Sequence, residues 1–469
     1  MAFVYAKNMI SQLGLRISAG FRKVAPDPFV LAILLTFVTI ILVLLATDTS
    51  LAGAVDIWAG SDGIWSAGLL KFAMQMCLIL VTGHALASSP PVSRMLDWLA
   101  TRPQTAGQAV CLVAFVAATL AVLNWGLGLI GGALIARRVG VAMERKGIKT
   151  HYPLLAAAGY VGLMVWHGGF SGSAPLKVSM PSEITDIFGP EPPFEAISIL
   201  DTILSPMNLV ITGGLLLIAP ILFMLMSPRN ERDIAQASSF GVTTVGRSIE
   251  PPEPDKPILP RILEDTPLVT VLFVLLIGWW AIRYYVPADL SQSGITHLTP
   301  DTVNMTMLML GLILHGTPRR YVAAIEEAVR GCAGIILQFP LYAGIMGLMA
   351  HSGLTAQMAT AIASTTNETT LPILTFFSAG IVNLFVPSGG GQWAVQGPIA
   401  MQAAVDTGVA PAKMVMAVAY GDQITNMLQP FWALPLLAIT GVKARDIVGY
   451  TAIVMVVAAV WVVLGLLVF

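Results

Sequence analysis

Residues 107–136 read GQAVCLVAFVAATLAVLNWGLGLIGGALIA, and this stretch decides the fold. It is apolar throughout, yet Asn124-Trp125-Gly126 and Gly128 interrupt it near its middle. Arg102 stands shortly before it, and Arg137, Arg138, Arg145, Lys146 and Lys149 follow directly. Lys and Arg gather in the cytoplasmic loops of membrane proteins, so both flanks belong to one side of a bilayer. A segment that begins and ends on the same side reads as a helical hairpin, about 107–136. A non-helical tip at membrane depth is tolerated only where protein or a water-filled cavity surrounds it.

The rest of the chain fits a membrane setting. Of its 469 residues, 56% are hydrophobic and 11% charged, against about 25% charged in soluble domains. Apolar runs approaching or exceeding the ~20 residues of a helical span recur at 29–46, 64–87, 207–226, 267–285, 302–314, 331–350 and 447–469. With the N-terminus inside, 21 of the 25 Lys and Arg fall in cytoplasmic segments. Lys71, Lys177, Arg283 and Lys413 are left outside or near the outer boundary. Residues 1–27 form an N-terminal segment whose Met9, Ile10, Leu13, Ile17 and Phe21 share a helical face, as in a surface amphipathic helix. A net charge of -1 gives no case for nucleic acid. Cys77, Cys111 and Cys332 are isolated in apolar runs without metal-like spacing. There is no phosphate loop, no zinc-ligand set and no nucleophile–base motif, so the chain does not read as an enzyme.

A second copy of the opening stretch lies 259 residues on. Asn124-Trp-Gly-Leu-Gly-Leu-Ile-Gly131-Gly132 aligns with Asn383-Leu-Phe-Val-Pro-Ser-Gly-Gly390-Gly391, and at offset 260 Tyr160, Gly162 and Pro175 meet Tyr420, Asp422 and Pro435. The second hairpin, about 371–405, is flanked by segments without Lys or Arg, which places its ends outside. The halves then repeat with opposite orientation: 28–226 first, 227–266 a solvated cytoplasmic linker, 267–286 a connecting span, 301–469 second. Inverted repeats with interrupted helices mark secondary transporters, whose sites lie near the midplane. The expected fold is an all-α polytopic membrane protein with two re-entrant hairpins and broken helices.

Candidate chemistry collects at the interruptions. Asn124, Gly131, Gly132, Asn383, Ser388, Gly389 and Gly390 occupy the hairpin tips, where glycine lets backbone approach a ligand closely and freed N–H groups favour an anion. For a lone glycine pair, close helix packing is the plainer account. The first broken span holds His167, Ser171 and Ser173, read as contacts for a carboxylate. Its counterpart holds Asp422, Thr425 and Asn426. An acid inside a span is a functional hypothesis by default: Asp422 could carry a coupling proton, or bind Na⁺ with Asn426. His84, Gln75, Gln338, His315 and His351 read as helix-end or packing residues. Trp125 and Trp393 abut the tips, as pocket walls or packing.

At Asn124–Gly132, at Val386-Pro-Ser-Gly-Gly-Gly-Gln-Trp393 and at Gly421-Asp-Gln-Ile-Thr-Asn-Met-Leu-Gln-Pro-Phe-Trp432, the chain resembles the bacterial short-chain fatty acid transporter family (AtoE type), over its whole length. That family is grouped in the ion-transporter superfamily. The resemblance implies acetoacetate- or butyrate-like monocarboxylates, H⁺ or Na⁺ as coupling cation, no cofactor, a homodimer in the bacterial inner membrane, and an elevator-type movement. Related carriers hold Na⁺ with a Ser-Asn-Thr signature at the tips. This chain has Asn124-Trp-Gly and Asn383-Leu-Phe instead, a departure that bears on Na⁺ coupling. The rival readings are a dicarboxylate carrier or cation/proton antiporter of the same fold, or a channel. No Lys or Arg occurs within either tip sequence, which weighs against two carboxylates.

Overall fold

The computed structural model describes residues 10–17, 19–20, 23, 26–188, 192, 194–228, 230–242, 257–287, 299–357 and 368–469. Its regular elements are all helical. The first half comprises α1 (Pro28–Ala46), α2 (Leu51–Ala59), α3 (Ala67–Ser88), α4 (Pro90–Ala100), α5 (Ala106–Leu123), α6 (Trp125–Arg145), α7 (Tyr152–Tyr160), α8 (Ser173–Lys177), α9 (Pro181–Phe188) and α10 (Pro206–Met226). After α11 (Ile258–Asp265) and α12 (Leu268–Tyr285) come α13 (Pro300–His315), α14 (Pro318–Val329), α15 (Ala333–His351), α16 (Leu371–Phe385), α17 (Gly389–Thr407), α18 (Pro411–Thr425), α19 (Pro430–Thr440) and α20 (Ala444–Val468). Among the described residues, nine segments are long and apolar enough to cross a membrane.

Local chemistry sets the ends of these helices. Asp27 accepts from the Phe29 N–H to start α1, with Pro28 at its first position, where a missing N–H costs nothing. Thr105 caps α5 through the Gln108 N–H. Gly408 and Gly441 close α17 and α19 at φ of 79° and 74°, a backbone region that L residues with a Cβ avoid.

The opening stretch folds as two antiparallel helices broken at one residue. Asn124 has extended backbone (φ -158°, ψ 131°), ending α5 and capping α6. The arms touch closely: a Cβ built on Gly128 would stand 2.3 Å from Ala121 Cβ, and one on Gly131 2.5 Å from Leu120 Cδ1. In the second half, α16 and α17 are likewise antiparallel, joined through Val386-Pro387-Ser388. Gln392 Nε2 donates to the Ala379 carbonyl at 2.9 Å and Gln396 Nε2 to Ser378 Oγ at 3.2 Å.

Each pair is completed by a third helix that itself breaks. The span begun by α7 passes into 3-10 turns at Val161–Met164 and Trp166–Gly168, and α18 passes into one at Asn426–Leu428. Those broken helices lie parallel to the first hairpin arms, held by glycine. A Cβ on Gly162 would stand 2.7 Å from the Ala117 carbonyl oxygen, and one on Gly421 2.1 Å from that of Phe376. Each partner lies 259 residues after its counterpart, so packing matches Gly162 with Gly421, not with Asp422. The 3-10 turns at 166–168 and 426–428 are related by 260 residues, because the second half spends one more residue between its glycine and its turn. We expect Gly421→Ala and Gly132→Ala to destabilise the protein by about 1–3 kcal/mol or more. The new methyls would meet rigid backbone, the Phe376 and Gly159 carbonyls at 2.1 and 2.0 Å. Thermal unfolding in detergent checks this.

Around these units, α3 packs on α13 and α14, while α15 packs on α1 and α2, and α10 lies along α20. Outward faces are apolar: Leu272, Leu275, Leu276 and Trp279 of α12 are exposed, which suits contact with lipid. Two segments, expected as a solvated linker and a surface helix, make specific contacts. In the stretch after α10 the Ala235 carbonyl accepts from Tyr152 N–H at 2.8 Å and Ser238 Oγ donates to Glu144 at 2.5 Å. Phe240 packs on Tyr152, and residues 258–265 form a helix; residues 229 and 243–256 lie outside the described set. At the N-terminus, residues 10–17 are helical and Gly14 sits against Tyr450 and Met226, so this part docks on helix ends. Met9 and Phe21 lie outside the described residues.

Candidate functional site

The two breaks meet. His167, from the first 3-10 turn, directs Nδ1 at Asp422 Oδ2 of α18, and both side chains are almost fully buried. Nε2 of the same ring accepts from the Ala174 backbone N–H at 2.9 Å. An acceptor Nε2 puts the neutral ring's proton on Nδ1, so His167 donates to the carboxylate. Gln423 Oε1 accepts from the backbone N–H groups of His167 (3.0 Å) and Gly168 (3.1 Å). These are donors that the broken helix would otherwise leave unpaired. Trp166 stacks on the His167 ring at 4.4 Å.

Tyrosines staple the breaks from the other side. Tyr160 OH lies 2.9 Å from the Asn426 carbonyl and 3.0 Å from that of Gln429, and Tyr420 OH donates to Asn208 Oδ1 at 2.9 Å. Asn208 Nδ2 in turn donates to the Gly168 carbonyl at 2.8 Å. Sequence reading missed Gln423, Asn208 and both tyrosine roles. Tyr160 and Tyr420 did stand out as aligned residues, which was the available signal.

The predicted tip residues divide into two groups. Asn124 Oδ1 accepts from Gly126 and Leu127 N–H, and Ser171 Oγ accepts from Trp125 N–H at 3.0 Å, tying the first tip to its broken helix. Gly131 and Gly132 face neighbouring helices. Beside Gly132 the Gly159 carbonyl and Ala117 fill the space, while Gly131 meets the end of the Leu120 side chain. Asn383 Nδ2 lies within bonding distance of the Asp422 carbonyl, Thr425 Oγ1 and Asn426 Oδ1 (2.7, 3.0 and 2.8 Å). An amide has two N–H donors, so it shares them among three acceptors. Ser388 caps α17 through Gly391 N–H. Gly389 touches the first break, since a Cβ there would stand 2.9 Å from His167 Cε1.

Gly390 faces α8, with Lys177 Cε at 3.7 Å and Ser173 Oγ at 3.9 Å, ordinary contact distances, from where its Cβ would be. Lys177 pairs with Glu183 of α9. A cation therefore does reach the second tip, brought by the fold from a segment the tip motif does not include. Trp393 is fully buried, with Gly397 against its ring. Trp125 joins an aromatic cluster with Phe72 and Trp432.

Several buried amide atoms around the second tip have no protein partner: Asn383 Oδ1, Gln392 Oε1, Gln423 Nε2, Asn426 Nδ2 and Gln429 Oε1. Buried polar atoms are normally paired, so this cluster departs from the usual pattern. Gln392 also lines a cavity of about 160 Å³ with Asp62, Met346, His351 and Gly391. Away from this region, His84 faces Glu327 at 3.9 Å and His315 Nε2 contacts the Ala85 carbonyl at 2.7 Å.

Comparison with known proteins shows the family. The family described as short chain fatty acid transporter matches residues 9–469. A relative from Escherichia coli (strain K12), named "Putative short-chain fatty acid transporter", is 39% identical over 98% of this chain and 100% of its own length. A relative of the same name from Haemophilus influenzae is 37% identical over 98% of this chain and 99% of its own. Among solved structures, the Alcanivorax borkumensis YdaH transporter aligns over 94% of this chain and 97% of its own, at 18% identity and a TM-score of 0.44. Neisseria gonorrhoeae MtrF, from a class of antimetabolite efflux pumps, aligns over 97% of this chain and 96% of its own, at 14% identity and a TM-score of 0.44. At those scores neither structure carries its fold or function across. Matched along nearly its whole length by the family and by both sequence relatives, the chain belongs to the short-chain fatty acid transporter family, and is a multi-pass membrane transporter rather than an enzyme.

Proposed function

We propose that this protein is a proton-coupled symporter of short-chain monocarboxylates of the butyrate or acetoacetate type, acting as a homodimer in the inner membrane with its N-terminus cytoplasmic. The single observation that carries the reading is the buried His167–Asp422 pair where two broken helices cross. Two ionisable groups withdrawn from water are expensive to maintain, and in a membrane interior such a pair marks a proton or ion pathway by default. Asp422 Oδ2 is engaged by His167, and Asn426 Oδ1 lies against Asn383 Nδ2, which favours a proton over Na⁺ as the coupling ion. The names of the relatives supply the substrate class.

In this reading the antiparallel pairs α5–α6 and α16–α17 are re-entrant hairpins entering from opposite faces, and the halves form an inverted repeat. Matched contacts 259 residues apart at Gly162 and Gly421 support that relation. The hairpins and broken helices would move together, elevator fashion, past α1–α3 and α13–α15. The substrate carboxylate is received at the second tip, near Ser388, Gly390 and Ser173, with the unpartnered amides close by. The test is uptake of labelled butyrate into proteoliposomes. An inward proton gradient should drive accumulation without Na⁺, and succinate should compete poorly. Accumulation that needs Na⁺ at constant pH would exclude proton coupling.

A further inference from the structure

We propose that Glu183 is a built-in counter-ion that holds Lys177 while the carrier is empty, and that the substrate carboxylate displaces it. The inference rests on the monocarboxylate reading above and adds the residue that receives the charge. Lys177 ends α8, which packs against the second hairpin through Ala174, Val178, Trp393 and Met401. Its Cε stands 3.7 Å from the point where a Gly390 side chain would begin, with Ser173 Oγ 3.9 Å from the same point. The side chain of a cation, a hydroxyl and the glycine tip thus lie in contact.

The ammonium does not wait unpaired. Glu183, six residues on, forms an ion pair with it, and the two side chains are 34% and 30% exposed respectively. An unpaired charge carried through a membrane interior is costly, so an empty carrier returning across the bilayer needs a substitute anion. Glu183 has the chemistry and position for that. Being about one-third exposed, it can also turn to water when a substrate carboxylate takes its place. Lys177 is then paired in both the loaded and the empty carrier, and only the return of the empty carrier depends on Glu183.

The experiment compares two transport modes of the full-length protein in proteoliposomes, with labelled butyrate as the probe. Net uptake needs the empty carrier to return, whereas exchange against butyrate-loaded vesicles does not. Glu183→Gln should slow net uptake by about tenfold while exchange stays near wild type, and the apparent butyrate affinity should tighten because its competitor is gone. Glu183→Asp, which keeps the charge, should restore net uptake, and Lys177→Gln should weaken both modes. Equal loss of both modes in Glu183→Gln, with Glu183→Asp also inactive, would overturn the inference, as would an unchanged ratio of net uptake to exchange. If the wild type itself takes up no monocarboxylate, the functional reading falls and takes this inference with it.

Discussion

Asp422→Asn abolishes proton-driven accumulation of substrate while the protein stays folded. Asparagine has nearly the same shape, and its Oδ1 can still accept from His167 Nδ1, so the crossing of the two broken helices is kept. The capacity to take up and release a proton on the carboxylate is lost. His167→Ala makes the contrast. It leaves Asp422 buried at 1% exposure without its ring donor, removes the acceptor for Ala174 N–H, and opens a hole beside Trp166. Breaking a buried pair by deleting one partner costs about 3–5 kcal/mol. Asp422→Asn should therefore yield normal protein without coupled uptake, and His167→Ala poorly folded protein. Gradient-driven uptake, with thermal unfolding in detergent alongside, checks both. Normal accumulation by Asp422→Asn would remove Asp422 from the coupling step.

Gly389→Ala is the second large effect. The added methyl would stand 2.7 Å from Trp166 Cη2 and 2.9 Å from His167 Cε1. Both rings are buried and stacked together, so neither can swing aside. Either the second tip lifts away from the first break or the His167–Asp422 contact is pushed apart. Overpacking of this kind costs about 1–3 kcal/mol, and coupled uptake should fall with it. Gly390→Ala, one position along, meets nothing closer than 3.7 Å and should leave stability unchanged. Similar unfolding midpoints for the two variants would show that the tip is not wedged against His167.

The interruptions were legible in sequence because their causes are local. Asn124 caps a helix, Pro387 and Ser388 with three glycines cannot continue one, and His167-Gly168-Gly169 and Asn426 to Pro430 open the later spans. The acid at Asp422 also stood out, since its apolar neighbours leave a carboxyl nowhere to hide. What sequence did not reveal was the pairing, because His167 and Asp422 are 255 residues apart and nothing local joins them. Lys177 was assigned to the outer boundary, and only the packing of α8 on α17 brings it to Gly390. Gly132 shows where sequence is ambiguous for a physical reason: a glycine that lets a helix approach has the same signature as one that admits a ligand. At Gly132 the structure shows close approach of a helix, with the Gly159 carbonyl in the space.

Cysteine accessibility tests the central claim most directly, that two half-membrane hairpins enter from opposite faces. In a variant with Cys77, Cys111 and Cys332 replaced, single cysteines at Gln104, Arg145, Thr370 and Asp406 would be exposed to a membrane-impermeant maleimide in intact spheroplasts. Thr370→Cys and Asp406→Cys should react from outside, while Gln104→Cys and Arg145→Cys react only after lysis. If the two ends of either hairpin label from different faces, that segment crosses the bilayer an odd number of times and the hairpin reading fails.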